Sequence, residues 1–232
     1  MFTRLFAIIL LSSMSYCALA VSSFSAEYQL SKGAFSLGVM TRTLNVDAAG
    51  RYVFESVMEA NAVVSLFTAS RVTEISRGRI EGSRFVPEYY RYEKNSKKKD
   101  YELSFDYATN VVMRSDNGPA WRAEMPDQLL DKLSYQGQMI TDVAANPQTL
   151  NYTVADRGKL KDYDIRNLGV EDVETTLGKF RSIKLQRGDK NSKRQTTVWF
   201  AEELGWMPVK VEYRDKKGGL TTGLLHTLNS GD

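Results

Sequence analysis

One cysteine and one histidine stand in a chain of 232 residues. That scarcity leaves no ligand set for a zinc site, an iron–sulfur cluster or a disulfide scaffold, and no Cys/His pair for a protease. Proline is rare, at five residues, and no low-complexity linker divides the chain. No apolar run approaches the ~18 residues of a membrane-spanning helix. Basic residues outnumber acidic ones by 31 to 28, a net charge of +3 that is too small for a dedicated nucleic-acid binder. A glycine-rich phosphate loop, a G-x-S-x-G elbow and an H-E-x-x-H pair are all missing, which removes the usual sequence routes to an enzyme. With 42% hydrophobic and 25% charged residues, the chain has globular composition. No cofactor is implied.

The N-terminus reads as an export signal. Arg4 precedes a seven-residue apolar run over 5–11, and Ala18-Leu19-Ala20 carries small residues at the two positions a signal peptidase reads. Residues 1–20 are therefore expected to leave, with cleavage before Val21 and residues 21–232 as one β-rich domain of the periplasm. Lipidation at Cys17 is the rival, but the residue before it is the bulky Tyr16. A buried N-terminal helix is the third reading. Cleavage removes the single cysteine, as suits an oxidising compartment.

Beyond residue 20 the hydrophobic pattern has period two. Tyr101, Leu103, Phe105 and Tyr107 alternate with Glu102, Ser104 and Asp106. Met207, Val209, Val211 and Tyr213 alternate with Pro208, Lys210, Glu212 and Arg214. Tyr52, Phe54, Met58 and Ala60 share one face, and Leu150, Tyr152 and Val154 repeat the motif. Such strands turn one face to a core and one to water, the mark of antiparallel sheets. Gly-, Asn- and Asp-rich turns separate the runs at 47–50, 81–83, 116–119, 188–191 and 216–219. Roughly ten or eleven closely spaced strands predict a mainly β fold: an antiparallel curved sheet or partly open barrel.

One stretch departs from this pattern. Over 126–145, Leu129, Leu130, Leu133, Ile140 and Val143 fall at helical spacing. Pro126 and Asp127 suit a helix start, and Asn146-Pro147 a stop. Gly137 is expected to weaken the helix or break it in two. This single helical insert has to lay its apolar face on the concave side of the sheet or over an open end.

Few residues carry candidate chemistry. His226 sits on a strand face, where a structural role outweighs a catalytic one. Asp127 and Asp131, four apart, would share a helix face and could split their pKa values, but a solvated first turn is the favoured reading. Arg91, Lys94, Lys97, Lys98 and Lys99 cluster among Tyr89, Tyr90, Tyr92 and Tyr101. They read as a charged hairpin tip that blocks edge pairing, or as a contact for anionic lipid head groups. Trp199 and Trp206 line either a core or an apolar cavity.

Four blocks in order carry a family resemblance. They are Phe24-Ser25-Ala26-Glu27-Tyr28-Gln29-Leu30-Ser31 followed by Gly33 and Gly38; Asp131-Lys132-Leu133-Ser134-Tyr135-Gln136; Thr175-Thr176-Leu177-Gly178-Lys179-Phe180; and Thr197-Val198-Trp199-Phe200-Ala201 with Leu204-Gly205-Trp206-Met207-Pro208-Val209. Together they resemble the exported bacterial family of domain of unknown function 3108, with Thr176 where that family often has Pro. The resemblance implies an exported, β-rich domain. It brings no activity and no catalytic residues.

Three function classes remain open: a non-enzymatic binder of an apolar or lipid-like ligand, a structural or assembly partner of an envelope complex, and a carboxylate-based hydrolase. For the first, which carries the expectation, Leu129, Leu133, Trp199 and Trp206 are the candidate ligand contacts. Arg91, Lys97, Lys98 and Lys99 are the candidate head-group contacts. Peripheral membrane contact fits this reading, and nucleic acid does not.

Overall fold

A computed structural model of the protein describes residues 22–66, 69–95, 100–115, 120–145, 149–188 and 193–231. The export segment, Lys97, Lys98, Lys99 and the Asn146-Pro147 stop lie outside the described residues. The alternating runs form β1 (Phe24–Lys32), β2 (Phe35–Val46), β3 (Arg51–Ala60), β4 (Arg71–Glu81), β5 (Arg84–Lys94), β6 (Tyr101–Asp106), β7 (Val111–Ser115) and β8 (Trp121–Glu124). A short α1 (Ala62–Ser65) links β3 to β4. After β9 (Leu130–Asp131) and α2 (Ser134–Ala144) come β10 (Thr149–Ala155), β11 (Leu160–Thr175), β12 (Gly178–Arg187), β13 (Gln195–Ala201), β14 (Met207–Arg214) and β15 (Leu220–Ser230).

All fifteen strands belong to one sheet. Its order runs from β8 down to β1, then from β15 down to β9. The chain ends thus meet in the middle of the sheet, where β1 pairs antiparallel with β15. The sheet edges, β8 and β9, are consecutive in the chain yet unpaired with each other. Only the β9–β10 pairing is parallel. The expected partly open, antiparallel barrel is what forms, and its two edges are only four and two residues long. Short edges limit unwanted strand addition.

Inside the curve lies one core, with Tyr28, Leu44, Tyr52, Phe54, Tyr90, Leu103, Phe200 and Leu225 almost wholly buried. The alternation of β1, β3 and β6 puts their inward residues there. The core stops short of some strand ends: Met58, Tyr107 and Tyr213 continue the apolar pattern but are exposed. Gly38 shows why the first family block ends on glycine. Its φ is +141°, and a Cβ there would sit 1.9 Å from the Glu59 carbonyl oxygen. Pro208 is the second residue of β14, beside a bulge opposite Trp199 and Phe200, where its missing N–H is tolerated.

The helical insert is shorter than the sequence suggests. Only 134–144 are helical; Pro126 and Asp127 precede β9, and Leu130 and Asp131 are extended. Leu129, Leu130 and Leu133 have helical spacing because all three enter the barrel core, not because they share a helix face. Asp127 and Asp131 consequently share no face: Asp127 is exposed, while Asp131 is wholly buried in β9. Nor does Gly137 break α2. It is the contact point with Phe85, whose ring would lie 2.7 Å from an added Cβ. Gln138 ties the helix to the β4–β5 hairpin by accepting from Phe85 N–H at 2.8 Å and donating to the Ser83 carbonyl at 3.1 Å. Seven of the eleven helical residues are buried, so α2 is an internal plug.

Candidate functional site

The seam along which β9 and α2 meet β4 and β5 is built from polar side chains. Asp131 Oδ1 accepts the backbone N–H groups of Leu133 and Ser134 at 2.7 and 2.8 Å. Its Oδ2 accepts the Ser76 hydroxyl from β4 at 2.6 Å, and the Ser76 and Tyr52 hydroxyls lie 2.9 Å apart. The Ser134 hydroxyl accepts the Asp131 N–H at 2.8 Å. Burial pushes the Asp131 carboxyl up to about 6, against the pull of the Ser76, Ser134 and Leu133 hydrogen bonds. Next to it, Lys132 Nζ reaches Glu74 Oε2 at 3.0 Å, and the same oxygen takes the Tyr90 hydroxyl. Burial works against the charge on Lys132, but Glu74 outweighs it and the pKa ends above the usual lysine value. Tyr101 donates to Asp156 at 3.1 Å, and Lys161 holds the other Asp156 oxygen. The Asp131-Lys132-Leu133-Ser134 block is therefore a latch that fastens β9 and α2 onto β4. Its carboxylates, Asp131, Glu74 and Asp156, are all engaged, and Asp131 has no solvent access.

Two clefts flank this closed core. The first, of about 770 Å³, opens beside the N-terminal half of β11. It carries six basic residues, Lys132, Arg157, Lys161, Arg166, Arg187 and Arg194, against the three carboxylates of Asp156, Asp162 and Asp164. Tyr163 and Tyr213 complete its aromatic lining. The Arg187 guanidinium stacks 4.3 Å above the Tyr163 ring. The second cleft, of about 380 Å³, lies between α2, the single 3-10 turn Glu202–Leu204, and the outer ends of β1 and β15. Phe24, Ile140, Leu204, Trp206, Met207 and Leu228 make it largely apolar. The chain reaches it through consecutive left-handed residues, Gly205 and Trp206, which turn the Trp206 ring out of the strand.

The expected ligand contacts are not brought together. Leu129 and Leu133 are buried in the core beside α2 and line neither cleft, because the space under the helix is filled by Phe85 and its neighbours. Trp199 is also buried. Its indole N–H donates to Glu171, and Lys184 and Lys210 cover its ring from the adjacent strands at 4.9 and 4.5 Å. Of the four, Trp206 alone borders a cleft. Arg91 stands near the β5–β6 hairpin tip, already paired with Glu93 at 3.2 Å and Glu102 at 3.7 Å. His226 is exposed at a β15 bulge and among the described residues meets Thr176, with Nδ1 3.2 Å from its hydroxyl. Sequence reasoning passed over Arg157, Arg166 and Arg187, which are scattered over three segments and carry no local motif. Among the described residues no cluster of metal ligands occurs, and no helix is long and apolar enough to cross a membrane.

A family model for proteins of unknown function, DUF3108, matches residues 24–224, from the first residue of β1 into β15. The chain belongs to the DUF3108 family. Each resembling block has a structural task in this DUF3108 protein: a close strand approach at Gly38, the seam latch, the β11–β12 turn, and the β13–β14 bulge. A beta-barrel-like protein of domain of unknown function DUF1849 from Brucella abortus shares the DUF3108 fold, with TM-score 0.59 and 11% identity over 91% of this chain and 99% of that one. A Bacteroides fragilis protein with a YmcC-like fold aligns at TM-score 0.39 and 11% identity over 90% and 96% of the two chains. No curated protein matches the sequence.

Proposed function

We propose that this DUF3108 protein is a non-enzymatic periplasmic binding protein, exported by cleavage before Val21, whose ligand is apolar or lipid-like. The observation that carries this reading is the apolar cleft at Trp206. Its volume of about 380 Å³ falls in the usual range of small-ligand sites, and its walls come from rigid elements. An alkyl chain laid against Phe24, Leu204, Trp206 and Leu228 gains roughly 25 cal/mol for each Å² removed from water, without any charged contact. The absence of motif chemistry in the sequence and the engaged carboxylates of the seam support binding over hydrolysis. The site is the flank of α2, not the concave face beneath it.

The test is delipidation followed by titration with palmitic acid and with phospholipid, reading tryptophan emission and melting temperature. Saturable quenching and a thermal shift are expected in the parent protein and not in Leu204→Arg. Absence of bound mass in native mass spectrometry of periplasmic material, together with no thermal shift, would sink the proposal.

A second reading, an envelope assembly partner, is favoured by one feature. Phe35, Val63 and Leu66 are 78%, 68% and 79% exposed. They gather where Asn61 ties α1 to β2 by hydrogen bonds to the Leu37 and Ser36 carbonyls. Crosslinking from Phe35 in the native envelope separates this reading from the first.

A further inference from the structure

The cationic cleft lies at the opposite end of β14 from the apolar one: Met207 borders the apolar cleft and Tyr213 the cationic one. Six residues of strand place them about 20 Å apart. We infer that the cationic cleft is a separate binding site for a phosphate-bearing ligand, read by Arg187 and Arg157. The inference does not rest on the apolar cleft.

The cleft opens beside the first residues of β11. Among the described residues the β11–β12 ladder begins at Ile165 and Arg187, while residues 160–164 pair with β10 alone. Cations line the cleft around that stretch. Arg187 is held in place before any ligand arrives. Its ring contacts are Tyr163 at 4.3 Å and Tyr135 at 5.9 Å, and it donates to the Tyr135 and Thr196 hydroxyls at 3.2 and 3.1 Å. Those acceptors are neutral, so they orient the guanidinium without cancelling its charge. A guanidinium has five N–H groups, and these two bonds leave others for an oxyanion. A stacked, planar arginine suits the bidentate recognition of phosphate.

Arg157 stands on the β10–β11 turn in a left-handed conformation, with φ at 52°. It lies 5.9 Å over the Tyr92 ring, which Lys132 also faces at 5.2 Å. Its contact with Asp156 is long, at 3.9 Å, and its side chain is 63% exposed. Asp156 is already held by Lys161 and Tyr101, and Asp162 accepts from Thr153 at 2.9 Å. Among the described residues the lining sets six cations against Asp156, Asp162 and Asp164, and Glu74 takes Lys132, which leaves two positive charges in excess. A concave, aromatic-walled surface concentrates that field on an anion.

The experiment titrates the full mature protein with inorganic pyrophosphate by calorimetry and thermal shift, and in parallel with phosphatidylglycerol and phosphatidylcholine vesicles. Saturable pyrophosphate binding is expected, weakened about tenfold or more in Arg187→Gln and in Arg157→Gln. Arg157→Gln alters an exposed turn side chain, so its fold should survive even if Arg187→Gln loosens β12; circular dichroism checks both. Leu204→Arg should leave pyrophosphate binding intact, which separates this result from the apolar cleft. Binding to phosphatidylglycerol vesicles without pyrophosphate binding would identify a lipid head group as the phosphate source. Pyrophosphate binding without vesicle binding would identify a free phosphate compound. No saturable binding in any arm overturns the inference. So does equal affinity of the parent and a folded Arg157→Gln, or the same response to sodium chloride at matched ionic strength.

Discussion

The partly open barrel is held together in two different ways on its two sides. Where the chain ends meet, β1 and β15 form eight cross-strand pairs, backed by Ala26, Tyr28 and Leu225 in the core. Where β9 and α2 meet β4 and β5, no ladder forms among the described residues and side chains do the joining. Every residue but proline brings a backbone N–H and C=O, so a ladder tolerates many sequences. A seam made of Asp131, Ser76, Ser134, Glu74 and Lys132 does not, because a buried polar group left without its partner costs its full desolvation. The comparison explains why individual polar side chains matter at the seam, while the β1–β15 wall rests mainly on backbone pairing and apolar alternation.

The sharpest way to break the comparison is at Asp131. Asp131→Ala strips the acceptor from two backbone N–H groups and the Ser76 hydroxyl, and should cost about 3–5 kcal/mol in denaturant melts. An exposed wall residue such as Thr227→Ala should cost within about 0.5 kcal/mol. Asp131 also gives the seam a pH signature. Burial raises its pKa to about 6, above its ordinary 3.8, so the folded protein keeps a proton that the unfolded chain releases first. Its contribution is whole below about pH 4 and falls as pH rises through 6. Between pH 4 and 7, Asp131→Asn should therefore gain on the parent by about 2–3 kcal/mol. Equal pH profiles of the two proteins would show that Asp131 does not titrate in this range.

Leu133→Asp comes next, at about 2–5 kcal/mol, since Leu133 is 1% exposed beside the latch. A neutral outcome would mean that the seam opens freely in solution. Gly137→Ala sets two effects against each other. Helix propensity gains about 1 kcal/mol, but the Phe85 ring blocks the new methyl, and overpacking costs about 1–3 kcal/mol. A net loss of about 1 kcal/mol is expected by thermal melting. The smallest effect belongs to the wall. Arg42, on β2, has a buried Nε without a hydrogen-bond partner while its guanidinium lies 5.7 Å from the Tyr28 ring. Arg42→Met should be neutral or stabilising by up to about 1 kcal/mol, the reverse of what a seam residue would show.

The candidate site was less legible than the fold. Trp206 reads along the chain as a large ring for a core or an apolar cavity, and it is half-buried and borders the apolar cleft. Trp199 has the same composition signal but is covered by Lys184 and Lys210, two residues that only cross-strand pairing brings to it. The cationic cleft was invisible along the chain. Arg157, Arg187 and Lys132 converge around the first residues of β11, and no local window contains that geometry.

The sequence by itself determined the mainly β class, the turns at 47–50, 81–83 and 216–219 and the curved antiparallel sheet. It suggests roughly ten or eleven strands where fifteen are described, and the turns it places at 116–119 and 189–191 lie outside the described residues. Period-two alternation and the backbone demands of tight turns are local, and each is written within a few residues. Only the tertiary structure decided where the helix begins, that the chain ends pair at the centre of the sheet, and that the Asp131 block is a latch. Asp131 meets Ser76 from 55 residues away, and Gln138 meets Phe85 from 53. The physical reason is that buried polar groups choose their partners only after collapse. Desolvation then makes each missing bond expensive, and the chain order of the two partners no longer matters.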